Sequence, residues 1–195
     1  MEIKAQLVKD LRDETGASFA KCREALVEAG GDLEKAKEVL KKQGAKVAAK
    51  KADRETAQGL VEAYIHGEGR VGVLLELLCE TDFVAKNDEF KELAHDLAMH
   101  IAAMNPQYVS REEVSEEIVE KEKEILRARA EKEGKPEAVA AKMVESGANK
   151  FFEEVCLLEQ PFIKDPATKI GKLIEGKIAK IGENIKVSRF TRFSV

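Results

Sequence analysis

The chain has 195 residues, 44% hydrophobic and 36% charged, enough apolar material for a core beneath a heavily charged surface and enough length for one medium domain plus a small one. A net charge of -4 gives no polyanion-binding signal, and 5% aromatics without Trp argue against stacking platforms for single-stranded nucleic acid. Cys22, Cys79 and Cys156 lie far apart, without metal-ligand spacing or an even count, and are expected as reduced core thiols. The start, Met1-Glu2-Ile3-Lys4-Ala5, lacks the basic and apolar regions of a signal peptide. The most apolar run, Val71 to Cys79, is broken by Glu76 and too short to cross a bilayer, so a cytoplasmic location without membrane contact is expected.

Residues 3–13 read as a helix with Ile3, Leu7, Val8 and Leu11 on one side, ended by Thr15-Gly16 with Gly16 as C-cap. Ser18 can cap a second helix carrying Phe19, Cys22, Leu26 and Ala29, stopped by Gly30-Gly31. Asp32 can cap a third with Leu33, Ala36 and Leu40. The expected organisation is a three-helix N-terminal bundle over 1–50, a linker over 51–57 and an α+β core over 58–195. The basic, Ala-rich stretch Lys46 to Arg54 reads as a solvated helix end and linker, with a nucleic-acid-binding arm as the second reading.

Val61, Ala63 and Ile65 alternate with Glu62, Tyr64 and His66, the period of a strand. After the turn Gly67-Glu68-Gly69-Arg70, a second strand alternates Val71, Val73, Leu75, Leu77 and Cys79 with Gly72, Leu74, Glu76, Leu78 and Glu80. Leu74 and Leu78 make this strand apolar on both faces, so its other face must meet a further element, a partner or a second copy. Asn87 or Asp88 can cap a helix with Phe90, Leu93, Ala94, Leu97, Ala98, Ile101 and Met104 in one stripe, ended by Asn105-Pro106. A charged helical hairpin is expected over about 112–155. Its first helix has a thin seam at Val114, Ile118, Ile125 and Leu126, its turn is Gly134-Lys135-Pro136, and its second helix runs from Glu137 to Val155. Gln160-Pro161-Phe162 and Asp165-Pro166 read as loops. A helix follows through Ile170, Leu173, Ile174, Ile178 and Ile181, and after Gly182-Glu183-Asn184 a last strand spans 185–195. The fold class is therefore α+β, a small antiparallel sheet packed with helices, plus the bundle and the hairpin.

Catalytic and cofactor motifs fail on mechanism. Gly171 to Lys177 has P-loop spacing, but Ile178 stands where Ser or Thr must reach Mg²⁺, no strand is read before it, and its isoleucines place it on an amphipathic helix. His95 and His100 are about 140° apart around a helix and cannot chelate one metal. His66, beside the turn, reads as a solvated strand residue, with a contact role as the second reading. No cofactor and no metal site is expected. Thr81-Asp82-Phe83-Val84 leaves two readings open. Thr81 or Asp82 is a cap and Phe83 a hydrophobic staple, or the apolar pair in a short connection contacts a partner.

Cys79-Glu80-Thr81-Asp82-Phe83-Val84-Ala85-Lys86-Asn87 resembles the signature of the bacterial elongation factor Ts family. Similar in the same order are Leu7 to Ala17, His95 to Ala103, and Glu159-Gln160-Pro161-Phe162. The resemblance implies a non-catalytic guanine-nucleotide exchange factor for elongation factor Tu that binds no nucleotide itself. In the family the Thr-Asp-Phe-Val segment enters the partner's GTPase domain and disturbs its Mg²⁺ site. Carried over, this is Thr81, Asp82, Phe83 and Val84, with Phe83 as the wedge. The family's N-terminal bundle resembles a ubiquitin-associated domain and docks on the same GTPase, here through the face of Phe19, Ala20 and Arg23. His66 is a further expected contact. Longer members hold two related halves, whereas this chain has one hairpin-plus-helix unit, and short members pair two copies. A non-covalent homodimer is therefore expected, through Leu74, Leu78, Phe190 and Phe193. A ubiquitin-fold or chaperone-like adaptor, and an RNA-binding factor using Lys41, Lys42, Lys46, Lys50 and Lys51, are the alternatives.

Overall fold

The computed structural model describes residues 3–195, so the reading of the first residues as free of a leader falls partly outside them. In chain order the helices are α1 (Ala5–Thr15), α2 (Phe19–Glu28), α3 (Leu33–Ala49), α4 (Asp82–Ala85), α5 (Asp88–Met104), α6 (Glu116–Lys132), α7 (Glu137–Val155) and α8 (Ile170–Ile181). The strands are β1 (Gln58–His66), β2 (Val71–Cys79), β3 (Pro161–Phe162), β4 (Asp165–Lys169) and β5 (Ile185–Ser194). The class is α+β, as expected. By contacts the chain divides into two compact units. One comprises Met1–Gly59, Leu78–Asn87 and Lys172–Lys186; the other comprises Leu60–Leu77, Asp88–Gly171 and Val187–Val195.

In the first unit the caps follow the local signals. Gly16 ends α1 at φ 66°, where its N–H donates to the Arg12 carbonyl; this left-handed conformation suits a residue without Cβ. Ser18 Oγ accepts from the Lys21 N–H at 3.4 Å, and Asp32 Oδ1 accepts from the Lys35 N–H at 3.1 Å. Val8, Leu11, Cys22, Ala25, Leu26 and Ala36 form a buried core flanked by Ile3, Leu7, Ala29, Leu33 and Leu40. Each large aliphatic side chain so buried contributes about 1.5–3 kcal/mol. Phe19 departs from the expected apolar face: it opens α2 and is 50% exposed. In the same unit α8 approaches α3 closely, a Cβ on Gly44 falling 3.5 Å from Ala179 Cβ, while Lys21 Nζ donates to the Ala179 carbonyl.

The second unit is organised on the sheet, ordered β1-β2-β5. Val73, Leu75 and Leu77 are buried, and α5 lies over this face, with His95 meeting Glu62 and the Ala102 carbonyl accepting from Arg192 Nε at 3.1 Å. The stripe of α5 is the expected one as far as Ile101, while Met104, at the helix end, is exposed. Strand β1 reverses the sense its alternation suggests. Glu62 and Tyr64 turn toward the packed side, whereas Val61 and Ile65 are 64% and 65% exposed. Leu74 and Phe193 are also exposed. Burial along β5 changes phase after Val187, from odd positions to Phe190 and Arg192.

Further differences concern the hairpin and the segment after it. Of the expected seam, Val114 is buried and Leu126 half-buried, whereas Ile118 and Ile125 are exposed, and Ala130 is buried in their place. Gly147 of α7 explains the choice: a Cβ there would lie 2.6 Å from Leu126 Cδ2, so the missing side chain is what lets Leu126 seat. The two proline segments are not loops. β3 and β4 pair antiparallel, Pro161 with Lys169 and Phe162 with Asp165. A proline is tolerated there because it opens one strand and lies in a two-stranded ribbon with free edges in the other. One ground for rejecting a P-loop therefore fails, since strand β4 does precede Gly171. The rejection stands on the other two grounds: Ile178 follows Lys177 where Ser or Thr is needed, and Gly171 to Lys177 lies within helix α8 and forms no loop.

Candidate partner-binding site

Between β2 and α5 the chain makes a separate single turn, α4. Thr81 is its N-cap, Oγ1 accepting from the Val84 N–H at 3.4 Å. The capping reading thus holds for Thr81, on α4 rather than α5. The staple reading of Phe83 does not hold, because its side chain is 81% exposed. Asp82 pairs with Lys86 one turn on, at 2.7 Å, and this hydrogen bond holds its carboxyl below the usual range. Val84 is half-buried.

A turn of this length is not stable by itself, and the first unit supplies what holds it. Glu183, in the turn before β5, accepts twice from Thr81: Oε2 from the backbone N–H at 3.0 Å and Oε1 from the hydroxyl at 2.7 Å. The neighbouring Glu80 accepts from the Asn184 N–H at 2.6 Å and pairs with Arg54 at 3.4 Å. The Asn184 hydrogen bond first, and the Arg54 charge after it, keep the Glu80 carboxyl below its ordinary range. Asn184 is itself buried and donates through Nδ2 to the carbonyls of Ala52 and Arg54, at 3.2 and 3.0 Å. Lys51 Nζ donates to the Gly182 carbonyl, and Cys79 Sγ to the Thr81 carbonyl at 3.2 Å. Residues 51–54, 79–81 and 182–184 therefore form one hydrogen-bonded support beneath α4. Glu80, Glu183, Asn184 and Arg54 escaped the sequence reading, since no local pattern ties residues about a hundred positions apart.

The other expected contacts sit elsewhere. Phe19, Ala20 and Arg23 share the exposed side of α2 with Glu24 and Val27. Ala20, Arg23, Glu24, Val27 and Glu28 line a shallow depression of about 390 Å³. His66 ends β1, exposed, within hydrogen-bonding distance of Tyr64, and belongs to the second unit rather than to the one with α4.

Two further stretches singled out in the sequence meet inside the second unit. His100 Nε2 donates to Gln160 Oε1 at 2.9 Å, and Gln160 Nε2 to the Glu154 carbonyl at 2.7 Å. Phe162 packs 6.1 Å from the imidazole. His100 is fully buried and its Nδ1 makes no hydrogen bond to the described residues. Burial pushes its pKa down, the Gln160 hydrogen bond opposing. Glu159 joins Arg111 at 2.8 Å and Lys169 at 3.3 Å, fixing the base of the hairpin. These residues are structural. All three cysteines are buried free thiols, and burial pushes those of Cys79 and Cys156 up to about 11. Among the described residues no cluster of three or more His, Cys, Asp or Glu side chains is placed to share a metal ion, and no helix is long and apolar enough to cross a membrane.

The fold therefore defines an α+β protein with an N-terminal helical bundle and a supported, solvent-facing aromatic turn. Comparison with known families names it further: the family model described as Elongation factor TS matches residues 1–195. The Elongation factor Ts of Carboxydothermus hydrogenoformans is 60% identical over 193 residues, covering 99% of this chain and 89% of that protein. Those of Acetivibrio thermocellus and Coprothermobacter proteolyticus are 58% and 56% identical, over 98% and 100% of this chain and 89% and 99% of theirs. The chain belongs to the elongation factor Ts family, a family of translation elongation factors.

Proposed function

We propose that this protein is a guanine-nucleotide exchange factor that binds elongation factor Tu and promotes release of GDP. The observation that carries the reading is Phe83: a large apolar side chain, 81% exposed, on a turn whose N-cap, Thr81, is held from below through its N–H and hydroxyl. A bare aromatic on a clamped support can enter a partner without the support having to be reorganised, which lowers the entropic cost of binding.

The mechanism needs no covalent chemistry and no nucleotide site on this chain. GDP is held on its GTPase by phosphate contacts and by Mg²⁺. Thr81 to Val84 enter beside the Mg²⁺ site with Phe83 as wedge, and displacement of the metal's ligands weakens both sets of contacts. Exchange requires tighter binding to the empty GTPase than to its GDP form. By linkage, nucleotide weakens the factor's hold by the same ratio. Phe19, Ala20 and Arg23 on the N-terminal bundle supply a second grip, with His66 as a further contact. In this reading residues 1–50 act as a docking bundle, 51–57 as a linker and 58–195 as the core.

The exposed face of the sheet supports a homodimer. Val61, Ile65, Leu74 and Phe193 are all more than half exposed on it, and one apolar face meeting its copy forms an isologous interface.

The test is release of labelled GDP from elongation factor Tu with and without this protein. Acceleration by orders of magnitude at stoichiometric concentration is expected; an unchanged rate removes the proposal. Affinity that falls steeply with salt for RNA, without accelerated release, would favour the RNA-binding alternative instead.

A further inference from the structure

A chain of ring contacts leads to His66 through the second unit. Glu62 Oε1 lies 3.0 Å from His95 Nδ1, an acceptor for its N–H. The ring of Tyr64 meets His95 edge-on, centroids 5.4 Å apart at 76°. Two residues along the same strand, Tyr64 stacks on His66 at 5.9 Å and 19°, and its hydroxyl lies 3.1 Å from His66 Nδ1. A phenol is the better donor of the two and an imidazole nitrogen the better acceptor, so the hydroxyl proton points to Nδ1. The neutral imidazole then carries its own proton on Nε2. His66 is exposed and its Nε2 meets no described residue. Left alone, an exposed ring at a strand end samples several rotamers and both tautomers. Here stacking and one hydrogen bond select a single presentation, with Nε2–H outward as a donor.

We infer that Tyr64, backed by His95 and Glu62, is a positioning residue that holds His66 as a pre-set hydrogen-bond donor to an oxygen acceptor on elongation factor Tu. The inference rests on the exchange-factor reading and deepens it: it gives His66 a chemical role and explains why a tyrosine and a second histidine surround it. Tyr64 does not touch the partner. It acts through His66 alone.

A double-mutant cycle tests this, with Tyr64→Phe, His66→Ala and the pair, read as Kd for nucleotide-free elongation factor Tu. Phenylalanine keeps the ring against His95 and removes only the hydroxyl, so the melting temperature should not move. His66→Ala should weaken binding about fivefold and Tyr64→Phe about threefold, the scale of one hydrogen bond at a surface. The double variant should be no weaker than His66→Ala. Nitrogen-15 spectra of the free protein should show the Nε2–H tautomer of His66 alone in the wild type and a mixture in Tyr64→Phe. Additive losses, an unaffected Tyr64→Phe, or an unaffected His66→Ala each overturn the inference while exchange by the wild type stands. If the wild type itself fails to accelerate GDP release, the functional reading falls, and this inference with it.

Discussion

Glu183→Ala is the perturbation that isolates the support of the turn from the turn itself. Glu183 lies outside the Thr81–Val84 segment, yet its carboxylate takes both the N–H and the hydroxyl of Thr81, at 3.0 and 2.7 Å. Each such bond contributes about 0.5–1.5 kcal/mol net. Water reaches both groups, so the two together are worth about 1–2 kcal/mol, toward the lower end of that range. Helix α4 is one turn long and has little stability of its own. The loss should therefore appear locally, as opening of the amide hydrogen bonds that close the turn, Ala85 to Thr81, Lys86 to Asp82 and Asn87 to Val84. Hydrogen exchange at Ala85, Lys86 and Asn87 should quicken about 5–30-fold, the equivalent of that free energy, and GDP release should slow in step. Glu183→Gln keeps one acceptor oxygen and should fall between. Unchanged protection at these three amides in Glu183→Ala would show that the carboxylate does not hold the turn.

Three further outcomes follow from buried and exposed groups. The unfolded chain takes a proton on His100 near the ordinary histidine value of about 6.5, whereas burial holds the folded-state pKa below it. The stabilisation is therefore complete above pH 6.5 and is lost as pH falls from there through the folded pKa, at up to about 1.4 kcal/mol per pH unit. Denaturant melts of wild type and His100→Gln between pH 5 and 8 should differ in slope, and parallel curves would rule out the titration. Leu26→Ala opens a cavity in a fully buried position of the small bundle and should cost about 2–5 kcal/mol; circular dichroism melts should show the bundle's transition lowered, and a loss under 1 kcal/mol would contradict the core assigned here. Leu74→Lys places a charge on the exposed sheet face, where Leu74 is 52% exposed. Sedimentation should report a dimer for the wild type, as proposed, and a monomer for Leu74→Lys, with the melting temperature of the fold little changed; a mass unaffected by the substitution would remove this face from the interface.

What was legible in the sequence is what local chemistry decides. Ser18, Asp32 and Gly16 act where they stand, because a cap needs only a side-chain acceptor or a left-handed residue within one turn. The stripe of α5 was equally plain, since seven apolar positions repeat at helical spacing on one element. Orientation was less so. The alternation of β1 fixed its period but not which face turns inward, and Glu62 and Tyr64 won the packed side through His95, a residue on another element. Ile118, Ile125 and Leu126 looked equally fit for the seam, and only Gly147 of the facing helix, where a Cβ would meet Leu126, separates Leu126 from the two exposed isoleucines. Pro161 and Pro166 read as loop markers because a two-stranded ribbon asks too little of the backbone to leave a pattern. At the site, the exposed aromatic was visible as an apolar residue in a short connection. Its support was not, because Glu183 and Asn184 reach it only through the fold.

Phe83→Ala tests the central claim most directly. With Phe83 already 81% exposed, its truncation removes only a fifth of a side chain's burial and should cost the fold less than about 1 kcal/mol. On the proposed reading the same ring becomes buried in the complex, where a central aromatic anchor is worth about 2 kcal/mol or more. GDP release from elongation factor Tu should therefore fall about 30-fold or further with Phe83→Ala while its melting temperature stays that of the wild type. Exchange at the wild-type rate by a folded Phe83→Ala protein would contradict the account.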